Sequence, residues 1–172
     1  NGAKIPSYAT DAKYFHWDYG TAVPLQYLDP ESKIPAVITP TCYASALDEN
    51  IQVGHQIDAT AKRLGKRVIV VVSNALTHLV VRGPATWPLP EHMEMDHKFI
   101  DMVKAADVDG ATEYLPGYAR DAKCEMGGRG LGVFLGASKA LEENAGNLSG
   151  AQYGPYAQSS ASGNANLALV AA

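Results

Sequence analysis

The feature that most constrains this chain is RVIVVVS, residues 67–73: a continuous β-branched run with no polar alternation. Polar alternation marks a strand with one wet face, so its absence predicts a strand covered on both faces in a parallel or mixed sheet. Residues 34–41 (IPAVITPT) form a second short β-favouring run, bounded by prolines, which suits a strand in a covered sheet or at its margin. Between the two, Ser45 and Asp48 make an S-x-x-D capping signature. Leu47, Ile51, Ile57, Ala61 and Leu64 then recur at roughly helical spacing up to Gly65, a natural residue just past a helix end. Strand, helix, strand in that order predicts an α/β fold, with a mixed or parallel central sheet flanked by helices in a single domain.

Further on, Asp96 can cap a helix whose Phe99, Ile100, Met102, Val103 and Ala106 make one apolar stripe. A second helical stretch is expected from about 119 to 141. It is loosened by Gly127, Gly128, Gly130, Gly132 and Gly136, whose small size suggests close backbone packing. Residues 146–163 carry little hydrophobic period, and residues 166–170 (NLALV) are a possible closing strand.

Composition narrows the function classes. A net charge of −4 leaves no basic footprint for a phosphate backbone, so nucleic acid is not an expected partner. The longest apolar run, residues 68–72, is far short of the roughly 18 to 20 residues that cross a bilayer, so no membrane partner is expected. Cys42 and Cys124 are the only cysteines, too few for a disulfide framework, and a reducing cytoplasm fits. The first residue is Asn1, and the opening reads as a continuation, so an N-terminal part is expected to be missing.

Three local patterns can carry chemistry. In DYGTAVPL, residues 18–25, Tyr19 stands beside a glycine that lets backbone come close; a plain turn with a half-buried tyrosine explains it as well. His78 follows the apolar run where an α/β sheet places its crevice, and an imidazole there can take or give a proton, though a structural histidine fits equally. Glu125, in CEMGG, is by itself most simply a solvated carboxylate. His55 lies inside the first helix, and His92 and His97 flank an acidic loop, EHMEMDH, without the spacing of a metal motif. These three read as structural or solvent-facing, and His16 stays open.

Taken in order, these segments resemble the class III extradiol ring-cleaving dioxygenase superfamily. DYGTAVPL is similar to that family's D-H-G-x-x-x-P-L segment, IPAVITPT to the strand after it, and RVIVVVSNALTH to its strand ending in S-G-x-x-[ST]-H. EHMEMDHKFIDMV resembles the stretch after that histidine, and CEMGGRGLGVFLGA the later segment with a glutamate metal ligand, so the likeness covers roughly residues 18–140. The resemblance implies His78 as the acid/base histidine, Glu125 as the carboxylate of a 2-His-1-carboxylate iron(II) triad, and Tyr19 as the residue that hydrogen-bonds substrate. Tyr19 stands where many members have histidine. That resembles the 2-aminophenol 1,6-dioxygenase branch and implies an aminophenol-like rather than a carboxylated catechol substrate, with dioxygen as co-substrate.

The family's two iron-binding histidines lie upstream of DYG. The chain, residues 1–172, therefore resembles the C-terminal portion of one such catalytic domain. The partner the resemblance implies is a homologous subunit in a homo- or hetero-oligomer. The rival expectation is a metal-free, non-catalytic paralogue that pairs with a catalytic subunit.

Overall fold

The computed structural model describes residues 18–81, 83 and 86–172, which fall into two units, Asn1–Pro40 and Thr41–Ala172. His16 lies outside the described residues.

In the first unit, helix α1 (Tyr19–Leu28) starts because the Asp18 carboxylate accepts the Thr21 amide at 2.8 Å. A side-chain acceptor for a free first-turn amide turns what the sequence suggests as a turn into a helix start. No residue of α1 is buried, and Tyr19 is 79% exposed rather than half-buried.

In the second unit, α2 (Leu47–Arg63) begins one residue later than the expected cap. Ala46 takes that place, its amide donating to the Glu49 carboxylate at 2.7 Å, while Asn50 donates back to Ser45 Oγ. The helix ends as expected at Gly65. With φ at +62°, Gly65 lets its own amide reach the Lys62 carbonyl and that of Lys66 reach Ala61, the paired bonds of a Schellman stop.

Helix α3 (Pro90–Lys104) replaces the acidic loop expected at EHMEMDH. Proline at the first helical position and Glu91 in the first turn both favour a helix start there. Asp96 is accordingly not a cap but a mid-helix residue, wholly out of solvent. Of the expected stripe, Phe99, Ile100 and Val103 are buried, Met102 is partly so, and Ala106 lies past the helix at φ +56°.

The single helix expected over 119–141 is two, α4 (Val108–Asp121) and α5 (Arg129–Ala145). Between them lies a short 3-10 turn, Glu125–Gly128, in which Met126, Gly127 and Gly128 all have positive φ and reverse the chain. The expected close packing of its small residues is present: a Cβ at Gly136 would strike the Ile51 carbonyl, and one at Gly54 the Val133 carbonyl. Helices α2 and α5 therefore meet backbone to backbone.

Among the described residues the only sheet is an antiparallel hairpin, β1 (Leu148–Ser159) and β2 (Ser162–Ala171). The stretch 146–163, too polar for a strand by periodicity, is held by cross-strand pairing instead, with a register break between Tyr153 and Ala157. The strand expected at 166–170 lies inside β2, where Ala165, Leu167 and Leu169 alternate onto the core. That core joins Phe99, Ile100 and Val103 to Val108, Leu115, Tyr118, Leu131 and Leu135.

The run 67–73 departs from expectation. It is not in a sheet, and Ile69 is 83% exposed, because no described segment supplies the backbone partners a covered strand needs. Residues 34–41 are likewise outside any strand, with Val37 exposed. Helix and strand are thus both present, but a central sheet does not stand among the described residues.

Candidate functional site

Shortly after the apolar run, the amides of residues 75–78 each find an acceptor. Ala75 donates to Glu125 Oε2 at 2.5 Å, Leu76 to the Gly163 carbonyl at 2.9 Å, Thr77 to Asp96 Oδ1 at 3.1 Å, and His78 to the Lys123 carbonyl at 3.1 Å. In return the Leu76 carbonyl accepts from Glu125 and the Thr77 carbonyl from Gly163. Residues 75–78 are therefore wedged between the start of β2 and the turn after α4, each residue fixed by its backbone.

This wedge brings His78 and Glu125 together. His78 Nε2 stands 4.0 Å from Glu125 Oε1, and the two side chains keep 33% and 25% of their surface exposed. At 4.0 Å there is no direct hydrogen bond, so the imidazole Nε2 and one carboxylate oxygen remain open to a third group. The other oxygen, Oε2, is occupied by the Ala75 amide. The turn carrying Glu125 is held by Arg129, which donates to the Met126 and Ser45 carbonyls, both at 2.7 Å, and stacks over the Tyr43 ring.

Beside this pair lies a polar cluster that no sequence pattern singled out as part of a site. Asp96, buried among apolar side chains, accepts from the Tyr118 and Tyr156 hydroxyls, both at 2.6 Å, as well as from Thr77. Burial holds its carboxyl above the usual range in spite of those three donors. The Tyr118 hydroxyl is pushed far up, first by burial and then by Cys124 and Asp96; Tyr156 moves the same way by burial and its bond to Asp96.

Thr77 Oγ donates its one hydrogen to the Ala122 carbonyl at 2.5 Å, which leaves His92 Nδ1, 3.2 Å away, as the donor to that hydroxyl. Gly163 abuts the cluster so closely that a Cβ would strike Asp96 Oδ2 and the Tyr156 hydroxyl. A signal for this cluster does exist in the sequence. His92, Asp96, Phe99, Ile100 and Val103 share one helical face, which puts two polar groups on an apolar stripe.

The other histidines are placed as follows. His55 pairs with Glu143 at 2.8 Å, tying α2 to α5 at the surface, and His97 lies against the Tyr156 ring. Tyr19 belongs to the first unit.

An iron(II) centre of the 2-His-1-carboxylate kind needs two imidazoles beside its carboxylate. Among the described residues no three His, Cys, Asp or Glu side chains stand together as a metal set, so these residues do not by themselves fit a complete centre. Glu125, with one oxygen turned away from the backbone, is the donor they offer next to His78. Also among the described residues, no helix is long and apolar enough to cross a membrane.

No curated protein matches the chain. The family model described as the catalytic LigB subunit of aromatic ring-opening dioxygenase matches residues 1–161. That match runs through the wedge, the His78–Glu125 pair and the Asp96 cluster, and the chain belongs to this family of aromatic ring-opening dioxygenases.

Proposed function

We propose that this chain serves iron(II)-dependent extradiol cleavage of a 2-aminophenol-like or catechol-like ring by dioxygen, with His78 moving the proton and Glu125 contributing a carboxylate to the metal. The observation that carries this reading is the 4.0 Å approach of an accessible imidazole to an accessible carboxylate in a chain of this family. Ring opening requires a phenol or amine proton to leave as the substrate is engaged and a proton to be returned as the ring opens. An imidazole is suited to both directions near neutral pH. The His78 backbone is held by the hydrogen bond its amide donates to the Lys123 carbonyl, and its neighbour Glu125 is fixed by accepting the Ala75 amide.

Iron enters here only as the ion for which Glu125 supplies one ligand, since the described residues do not complete the set. Tyr19, exposed at the start of α1, is assigned to the substrate heteroatom on the family resemblance alone. A homologous subunit is the assigned partner on the same ground.

The test separates metal binding from proton transfer. In the complete protein reconstituted with iron(II) without air, His78→Ala should keep its iron and still bind 2-aminophenol, while ring cleavage falls about 100-fold or more. Glu125→Ala should lose the iron itself, because removing a ligand weakens the site whereas removing a nearby proton donor need not. Bound iron and oxygen uptake are measured side by side. Equal iron loss in both variants would remove His78 from the proton-transfer role, and a complete unmutated protein that binds no iron would instead be a non-catalytic subunit paired with a catalytic homologue.

A further inference from the structure

Asp96 sits in an expensive place. A carboxylate on the apolar face of α3 forgoes the burial energy that a leucine would contribute there, and burying its charge costs more still unless every lone pair is matched. The cluster around it offsets part of that cost, with Tyr118 from α4 and Tyr156 from β1 both donating and Gly163 leaving the room. What the carboxylate does in return is accept the Thr77 amide, one residue before His78. Among the described residues, two side chains take amides from the wedge: Glu125 holds Ala75 and Asp96 holds Thr77.

We propose that Asp96 is a positioning residue for His78, fixing the backbone at Thr77 so that the imidazole is held beside Glu125. The two tyrosines orient the carboxylate, and the carboxylate orients the wedge. This rests on the proposed role of His78 in proton transfer, but the position of the ring can be read without any turnover.

Asp96→Asn keeps an oxygen to accept the Thr77 amide, whereas Asp96→Ala leaves that amide without an acceptor. Tyr156→Phe removes one of the two hydroxyls that steer the carboxylate and is the milder change should Asp96→Ala not fold. On the complete metal-free protein, side-chain nitrogen NMR of His78 should show its ring resonances displaced in Asp96→Ala, displaced in the same direction but less in Tyr156→Phe, and returned close to wild type in Asp96→Asn. On the iron-loaded protein, Asp96→Ala should lower kcat about 10- to 100-fold, the scale of a displaced catalytic group. KM for 2-aminophenol should stay within about twofold, and combining the change with His78→Ala should add no further loss.

His78 resonances that stay in place in a folded Asp96→Ala or Tyr156→Phe protein overturn the proposal. So does a loss that adds in full to that of His78→Ala. If His78→Ala alone keeps full turnover, the proton-transfer reading fails, and the displaced resonances still decide whether Asp96 positions the ring.

Discussion

His92 Nδ1 lies 3.2 Å from Thr77 Oγ, and neither residue is open to solvent. The hydroxyl thus serves two buried partners, receiving from the imidazole and donating to the Ala122 carbonyl. Thr77→Val keeps the shape but leaves both partners unmatched, so it should destabilise the fold by about 1–3 kcal/mol, the cost of stranding buried polar groups. Thr77→Ser should restore most of that. Chemical denaturation of the two variants checks it, and a Thr77→Val protein as stable as wild type would show that the hydroxyl carries no such role.

A raised carboxyl pKa at Asp96 sets the sign of a pH effect. The folded state holds the Asp96 proton more tightly than the unfolded chain does, because burial outweighs the bonds from Tyr118, Tyr156 and Thr77 and the nearby His92. Stability from this group is therefore full below the ordinary carboxylate range and is lost as pH rises through the raised folded-state value. Asp96→Asn cannot titrate. Thermal melts from about pH 3 to pH 7 should show wild type losing ground to Asp96→Asn over that window and then running parallel to it. A difference that moves the other way would mean the carboxylate is stabilised as the anion.

The contact between Gly136 and the Ile51 carbonyl leaves no room for a methyl group, since the obstacle is backbone and not the tip of a flexible side chain. Gly136→Ala gains helix propensity but must push α5 away from α2, and it should destabilise by about 1–3 kcal/mol, the usual cost of overpacking. Gly117, with nothing near its missing Cβ, is the control: there the same substitution should be neutral or stabilising. Urea denaturation midpoints compare the two.

Cys124 is buried, and its thiol is pushed up to about 12, chiefly by burial, whereas Cys42 is exposed. A thiol reagent at pH 8 should label Cys42 and spare Cys124 until the protein is unfolded, because the thiolate is the reacting species. Peptide mapping after brief labelling distinguishes them. Rapid labelling of Cys124 in the folded protein would mean that the turn before Glu125 opens readily.

The parts of the fold legible in the sequence were those written in local patterns. The Schellman stop at Gly65 follows from one glycine at the end of a periodic run, and the α3 stripe from the spacing of Phe99, Ile100 and Val103. The hairpin was not legible, because the pairing of residues such as Gly150 and Leu169 is a relation between distant segments that neither segment expresses alone. His78 and Glu125 were each indistinct by themselves, and only their order along the chain, compared with a family, singled them out. Asp96 reads as a cap because aspartate is a good one, although its spacing from Phe99 and Ile100 puts it on the apolar face, where the structure has it.

The exposed run at 67–73 has a practical consequence. Five consecutive β-branched residues with no proline or charge among them, and with their amides and carbonyls unclaimed by any described strand, match the composition of segments that stack into cross-β fibrils. Lys66 and Arg67 guard its entrance, but nothing charged guards its exit before His78. The protein should lose solubility with concentration and time in proportion to how freely that segment meets another copy of itself, and Ile69→Lys, at an outward position, should slow the loss.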